Sequence, residues 1–257
     1  MLSTLANAET VNLYAAGSLK VALTEVVWAF EYAKGGSVRV ETTFGPSGLL
    51  RERIEEGEAV HIFASADMSH PQRLADQGRA VGPVHIFARN ELCALARADL
   101  AVRSDSLLDV MLAPHIRLGT STPKADPSGD YAFALFAKAD ALRPGARAML
   151  ESRALQLTGG PTSEKAPAGR NQYAWVMDRG KADVFLTYCT NAVLAKHELP
   201  SLRTVQIPAE LSVGADYGMI VLRDASTAAT DFAGFVLGEA GQAVLAKHGF
   251  GRGDPAK

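Results

Sequence analysis

The sequence has little of four features that often point to a function directly. Aromatic residues make up only 7% of the 257 residues, and there are just two cysteines, Cys93 and Cys189. No apolar stretch approaches the roughly 20 residues that a membrane-spanning helix requires. The formal net charge of −2 gives no excess of one sign. We therefore expect a soluble globular protein with no affinity for nucleic acid or for an acidic membrane surface.

Motifs for catalysis, phosphate binding and metal binding are also missing. Residues 45–49, Gly-Pro-Ser-Gly-Leu, lack the closing glycine of a nucleophile elbow. Neither a Walker A motif nor a G-x-G-x-x-G motif is present. The six histidines are scattered, with no H-E-x-x-H and no C-x-x-C. We expect no enzyme, no cofactor and no ligands for a metal cation, and keep an enzyme on a similar α/β scaffold as an alternative.

The cysteines and the N-terminus bear on the cellular compartment. The two cysteines leave open both a disulfide and two isolated buried thiols. Residues 5–9, Leu-Ala-Asn-Ala-Glu, contain the small-x-small pattern that precedes signal-peptide cleavage. We interpret residues 1–8 as the remnant of an export signal, with an N-terminal tail as the alternative, and leave open whether the protein is free or lipid-anchored.

Strand-like and helix-like segments alternate along most of the chain. Residues 11–15 form an apolar run typical of a buried strand, and residues 19–32 carry apolar side chains at helical spacing. The pattern restarts near residue 90, and the Gly-, Pro- and Ala-rich residues 158–170 indicate a loop. The sequence therefore predicts an α/β protein with two successive units, each a mostly parallel sheet flanked by helices.

Two serines stand where a predicted strand passes into a predicted helix. Ser18 follows the first strand, and Ser47 follows the second within Gly-Pro-Ser-Gly. A helix N-terminus presents unpaired N–H groups and the positive end of the helix dipole, which together suit an anion. Ligands of parallel α/β sheets bind beyond the carboxyl ends of the strands. The pattern thus favours an anion site, with ordinary helix capping as the alternative.

The second predicted unit offers three further candidates. Ser128 lies between Pro127 and Gly129 at the start of a long helix, Tyr188 ends an apolar strand, and Arg170 closes the Gly/Pro-rich loop. A hydroxyl, a phenol and a guanidinium can each donate hydrogen bonds to an anion. The alternatives are a helix cap, a half-buried strand tyrosine and an exposed loop arginine.

Six segments in order resemble the periplasmic molybdate-binding proteins of ABC transporters, which have the type 2 periplasmic binding protein fold. The resemblance covers the chain from Val11 to about Phe250. Its motifs are "AAGSL", "FGPSGLL", "IEEGEAVHIFASAD", "RLGTSTPKADPSGDYA", "VFLTYCTNA" and "EAGQAVLAKHGF". Each motif is weak alone, and their order makes the resemblance specific.

The resemblance implies how the candidate residues act. In the family, a tetrahedral dianion is held between two lobes by hydroxyls and backbone amides, and Ser18, Ser47 and Tyr188 match ligand-binding positions. Ser128 matches a position whose backbone N–H contacts the anion. The implied lobes are residues 1–87 with 207–257, and residues 88–206, joined by a hinge.

The resemblance also implies a role, a ligand and partners. We expect a monomeric, exported periplasmic protein that captures molybdate or tungstate and delivers it by hinge closure to the membrane permease of an ABC importer. Selectivity against sulfate would come from cavity size.

Three departures from the family pattern bear on the ligand. His61 replaces an aspartate, Ser128 replaces an alanine, and Arg170 lies near a position that is commonly apolar. A guanidinium is a permanently charged, bidentate donor that also suits carboxylates and phosphates. A small organic or phosphorylated anion clamped by Arg170 is therefore the alternative ligand.

Overall fold

The computed structural model describes residues 8–254. The predicted export-signal remnant, residues 1–8, lies outside these residues except for Ala8. The strands within the described range are β1 Glu9–Ala16, β2 Val38–Gly45, β3 Ile62–Ala64, β4 Ala80–Ala96, β5 Leu118–Ser121, β6 Leu155–Thr158, β7 Val184–Tyr188, β8 Arg203–Gln206, β9 Gly214–Leu222 and β10 Gly251–Arg252.

Ten α-helices accompany these strands in the described part of the chain. They are α1 Lys20–Ala33, α2 Ser47–Glu55, α3 Ser69–Asp76, α4 Leu107–Leu112, α5 Pro127–Leu142, α6 Ala146–Arg153, α7 Gln172–Asp178, α8 Cys189–Glu198, α9 Thr227–Leu237 and α10 Glu239–Lys247. No helix among residues 8–254 is both long enough and apolar enough to cross a membrane.

The chain divides into two compact units. Unit 1 contains the described residues up to Arg89 together with those from Asp216 onward, and unit 2 contains Asn90–Ala215. Strand β4 runs through the first changeover, so its first half belongs to unit 1 and its second half to unit 2.

The sheet of unit 1 has the strand order β2-β1-β3-β9, and β10 pairs with the first half of β4. Strand β1 is parallel to both β2 and β3, with Ala16 opposite Gly45 and Ala15 opposite Ala64. Val11, Leu13 and Ala15 are almost completely buried, as are their neighbours Tyr14 and Ala16. Burial on both faces is typical of a central parallel strand covered by helices.

The sheet of unit 2 is built on the second half of β4. Strand β7 lies antiparallel on one side of it and β8 antiparallel on the other, while β5 lies parallel to both β7 and β6. Buried apolar side chains of β4, α7, β7 and α8 form one core cluster, which includes Leu95, Ala174, Phe185 and Ala192.

The predicted fold class is confirmed: the protein is α/β, with parallel strand pairs and flanking helices in each unit. Several elements were not apparent in the sequence pattern. These are α6, α8, the strands β6, β8 and β10, and the first half of β4, which contains Gly82 and Pro83. Antiparallel pairs within each unit, such as β3 with β9 and β4 with β7, accompany the parallel ones.

Candidate functional site

Unit 1 brings Ser18 and Ser47 to the same edge of its sheet. Strands β1 and β2 are parallel and in register, with Ala16 opposite Gly45, and each serine stands two residues beyond its strand. Ser18 lies in a short 3₁₀ turn, Gly17–Leu19, that leads directly into α1, and Ser47 is the first residue of α2. The first-turn N–H groups of both helices therefore lie at the carboxyl ends of two neighbouring strands.

Ser47 is fully buried and is fixed by the third strand of this sheet. Its Oγ accepts a hydrogen bond of 3.1 Å from the backbone N–H of Ala66, just beyond β3. Pro46 precedes the helix and provides no side-chain cap for its first turn. The N–H groups of Ser47 and Gly48 thus begin α2 without a competing side-chain acceptor, which is the condition that anion binding at a helix N-terminus needs.

Tyr217 is a residue of this edge that sequence reasoning missed. Its phenol oxygen lies 3.0 Å from Ser18 Oγ, and its side chain is fully buried. Tyr217 stands on β9, which is antiparallel to β3, with Met219 opposite Ala64. Because β9 is antiparallel to β3, the beginning of β9 lies beside the carboxyl end of β3. A search limited to residues that follow the carboxyl ends of parallel strands therefore does not find this tyrosine.

In unit 2, Ser128 occupies the first turn of α5 and is fully buried. Its Oγ has no hydrogen-bond partner among residues 8–254. Leaving a buried hydroxyl without a partner costs about 1–3 kcal/mol. Such a group at a helix N-terminus is a donor that a ligand oxygen can satisfy.

Tyr188 stands beside the helix that carries Ser128. It is buried at the end of β7, and its ring packs edge-on against Tyr131 of α5, with 6.2 Å between the ring centroids. Tyr131 lies less than one helical turn from Ser128, so unit 2 brings the predicted residues Ser128 and Tyr188 into one neighbourhood. The next residue, Cys189, forms a disulfide with Cys93 of β4, which decides between the two alternatives for the cysteines.

Arg170 has a different environment from Ser18, Ser47, Ser128 and Tyr188. Its Nε donates to Glu198 at 2.5 Å and its Nη2 to Asp178 at 3.2 Å. These carboxylates stand at the C-terminal ends of α8 and α7, so Arg170 joins two helix ends to the Gly/Pro-rich loop. The Arg170 guanidinium holds the pKa of Glu198 below its ordinary value. The positive charge of Arg170, which was a candidate partner for an anion, is therefore paired with two carboxylates of unit 2.

His61 has a packing role in unit 1. Its Nδ1 accepts a 3.0 Å hydrogen bond from the backbone N–H of Asn12, which links β1 to the residue that precedes β3. Within residues 8–254, no group of three His, Cys, Asp or Glu side chains is placed to hold a metal ion.

One acidic group stands directly at the Ser128 helix. Asp126 is the N-cap residue of α5, and its Oδ1 accepts from the backbone N–H of Ser128 at 3.0 Å. Burial, together with the smaller effect of the nearby charge of Asp130, raises the pKa of this carboxyl to about 6 against the lowering effect of the hydrogen bonds from Ser128 and Ser121. Sequence reasoning missed Asp126, although Asp before Pro at a helix start is a recognisable cap signal.

The architecture defines the class of protein: it has the fold of the type 2 periplasmic binding proteins, with serine hydroxyls and helix N-termini at the strand ends. The chain belongs to the bacterial extracellular solute-binding protein family, whose model matches residues 11–251.

Two relatives by sequence illustrate this membership. An uncharacterised Pasteurella multocida protein, PM1146, is 38% identical over 209 residues, covering 80% of this chain and 85% of its own length. The molybdate-binding protein ModA of Mycobacterium bovis is 24% identical over 247 residues, covering 95% of this chain and 85% of its own length.

Solved structures share the fold at lower identity. The sulfate-binding protein SubI of Mycobacterium tuberculosis has a TM-score of 0.77 at 20% identity, covering 95% of this chain and 87% of its own. The Azotobacter vinelandii periplasmic molybdate-binding protein has a TM-score of 0.72 at 18% identity, with 94% and 98% covered. PEB3 bound to L-phospholactate has a TM-score of 0.70 at 16% identity, with 93% and 98% covered.

Proposed function

We propose that this protein is the periplasmic solute-binding component of an ABC importer and that it captures a tetrahedral oxyanion, molybdate or tungstate. The proposal takes Ser128 and Tyr188 of unit 2 as hydrogen-bond donors to the anion and keeps Ser18 and Ser47 of unit 1 as the donors that the family resemblance implies; the permease of the importer then receives the anion. The observation that carries it is the Ser128 hydroxyl, fully buried at a helix N-terminus and without a partner among the described residues.

The chemistry of the donors supports an oxyanion. Serine hydroxyls, a phenol and backbone N–H groups donate hydrogen bonds without adding a fixed positive charge. An anion with several oxygens can accept from all of them, and a desolvated set of neutral donors selects by size and hydrogen-bond number. Two similar proteins are named as molybdate-binding proteins, which supports molybdate as the ligand.

The ligand is tested by titrating the purified protein with molybdate, tungstate, sulfate, phosphate and small carboxylates. Calorimetry reports affinity and stoichiometry, and Trp175 fluorescence gives a second signal from unit 2. We expect submicromolar binding of one molybdate or tungstate per chain and much weaker binding of sulfate. The absence of any response to molybdate and tungstate at millimolar concentration would contradict the proposal.

Ser128→Ala tests the residue that carries the proposal. Because its buried hydroxyl has no partner among the described residues, removing it relieves a cost of about 1–3 kcal/mol, and we expect the ligand-free variant to be at least as stable as the wild type in urea denaturation. A hydrogen bond to a charged ligand is worth about 1.5–3 kcal/mol. Molybdate affinity should therefore fall by about ten- to hundredfold in calorimetry.

Thr120→Val is the matched control for this variant. The Oγ1 of Thr120 is the other buried hydroxyl oxygen in the described residues without a hydrogen-bond partner, and it lies on β5 of the same unit. Valine keeps the shape and removes the hydroxyl, so molybdate affinity should be unchanged. Equal losses in both variants would show that the effect of Ser128→Ala is not specific to a ligand contact.

The second candidate is a small organic or phosphorylated anion clamped by Arg170. The phospholactate bound in the similar structure of PEB3 favours it. It would require the guanidinium to leave Glu198 and Asp178.

Arg170→Gln separates the two candidates. Its ion pairs are partly exposed, and exposed pairs contribute about 0–1 kcal/mol. We therefore expect a small loss of stability in urea denaturation and no change in the affinity for molybdate. A loss of tenfold or more in the affinity for any bound anion would instead support the clamped organic anion.

A further inference from the structure

The N-terminus of α5 is closed by its own N-cap residue. Pro127 has no N–H, the N–H of Ser128 donates to Asp126 Oδ1 at 3.0 Å, and the N–H of Gly129 donates to the Asp126 carbonyl oxygen at 2.8 Å. The first backbone donors of this helix are therefore all used by Asp126. The Ser128 Oγ–H has no acceptor among residues 8–254, so it remains available to a ligand. Helix α2 of unit 1 differs, since Pro46 provides no side-chain cap.

The carboxyl of Asp126 is enclosed by the rest of unit 2. Gly159, at the end of β6, packs so closely that an added Cβ would lie 2.5 Å from Oδ2. The Ser121 hydroxyl of β5 hydrogen-bonds with the carboxyl. Tyr173 of α7 reaches the same region among the hydroxyls of Ser121, Thr158 and Thr187. Ser121 and Thr158 are themselves joined by a 2.8 Å hydrogen bond.

The ionisable groups that face Asp126 are few. Asp130, one turn along α5, adds a like charge, and the charge of Asp126 in turn raises the pKa of Tyr173 after the larger effect of burial. Lys124 is exposed, and its backbone N–H, rather than its side chain, contacts Asp130. Burial and Asp130 together raise the pKa of Asp126 to about 6, so that the carboxyl changes charge within the physiological range.

An ionised Asp126 conflicts with an oxyanion at Ser128. A ligand oxygen that accepts a hydrogen bond from Ser128 Oγ lies close to Asp126 Oδ1, because Oδ1 accepts a hydrogen bond from the backbone N–H of the same serine. Like charges this close in a buried site repel each other and favour protonation of the weaker acid. The same N–H of Ser128 cannot donate fully to both acceptors. Neutral Asp126 removes the repulsion and weakens its hold on this N–H.

We propose that Asp126 controls the affinity of unit 2 for the oxyanion: its carboxylate competes with the oxyanion for the Ser128 N–H, and the oxyanion binds to the form in which Asp126 is neutral. This rests on the proposed function, because it takes Ser128 as a contact of the anion. The proton stays on the Asp126 carboxyl, where the hydroxyl of Ser121 is placed to accept from it. Binding therefore takes up a proton from solvent.

The test compares wild type with Asp126→Asn, using molybdate as the probe, by calorimetry from pH 5.5 to pH 8. In the wild type, affinity should be greatest at low pH and should fall by up to tenfold per pH unit above about pH 6. Asparagine is neutral and is itself a favourable N-cap. Asp126→Asn should therefore fold, bind at least tenfold more tightly than wild type at pH 8, and lose this pH dependence. Titration of the molybdate itself affects both proteins equally.

Asp140→Asn is the matched control. Asp140 lies on the same helix, and its carboxylate also accepts a backbone N–H, that of Gly145 at 3.0 Å, at the far end. This variant should keep the wild-type pH profile. Calorimetry in two buffers of different ionisation enthalpy should show proton uptake at pH 8 in wild type and Asp140→Asn, and none in Asp126→Asn.

The outcomes separate this inference from the proposed function. Equal affinity of wild type and Asp126→Asn at pH 8, with no proton uptake, overturns the role of Asp126 and leaves the oxyanion function standing. Binding of molybdate at pH 8 by Asp126→Asn but not by wild type supports both the role of Asp126 and the oxyanion function. If neither protein binds molybdate at any pH in the range, the proposed function fails and the role of Asp126 fails with it.

Discussion

Reducing the disulfide between Cys93 and Cys189 is expected to lower the free energy of unfolding by about 4 kcal/mol. The two cysteines are 96 residues apart in sequence, so the cross-link removes much of the entropy of the unfolded chain. The bond joins β4 to the first turn of α8 within the core of unit 2. Urea denaturation with and without a reductant measures the effect.

The control for reduction is a double variant, Cys93→Ala with Cys189→Ala. It has no thiols, so its denaturation midpoint should be the same in both conditions. Because Cys189 follows Tyr188 directly, reduced wild type should also bind molybdate more weakly than oxidised wild type. An unchanged midpoint of wild type, with both thiols shown to be free, would contradict the expectation.

The second large effect is expected from Gly129→Ala, at the first turn of α5. An added Cβ would lie 2.6 Å from the carbonyl oxygen of Ser121 and 2.7 Å from the backbone nitrogen of Pro123. These are backbone atoms that cannot rotate away, so the helix start or the chain after β5 has to move. We expect a loss of about 3 kcal/mol in the free energy of unfolding, at the upper end for overpacking.

Gly129→Ala should also weaken molybdate binding by tenfold or more, because the displaced helix start carries Ser128. Gly234→Ala is the control. Gly234 lies in α9 with nothing within 4 Å of an added Cβ, so alanine should stabilise the protein by up to about 1 kcal/mol. Stabilisation by Gly129→Ala as well would show that the chain after β5 is free to move.

The close approach at Gly129 is to backbone atoms of the chain itself. The residues that require Gly129 are Ser121 and Pro123, which precede α5 in the chain. The glycine therefore serves the packing of the helix against the end of β5, and this packing positions Ser128.

The residues of the candidate site that depend only on the local succession of elements along the chain could be predicted from the sequence. Ser18, Ser47 and Ser128 follow from the succession of a strand, a small residue and a helix, which the sequence shows directly. Tyr217 and the enclosed environment of Asp126 were not predictable in this way. The first depends on an antiparallel strand contributed from far along the chain, and the second on its enclosure by Gly159 and Tyr173, which lie 33 and 47 residues further on.

By itself the sequence determined the α/β class, most of the helices and strands of the first unit, and the positions of the serines, because hydrophobic periodicity and strand-to-helix turns are local properties. Only the tertiary structure decided that Cys93 and Cys189 are bonded, that Arg170 pairs with Glu198 and Asp178, and that Asp126 packs against Gly159. Each of these depends on which distant side chain lies within a few ångströms. Sequence spacing does not determine such contacts until the chain has folded.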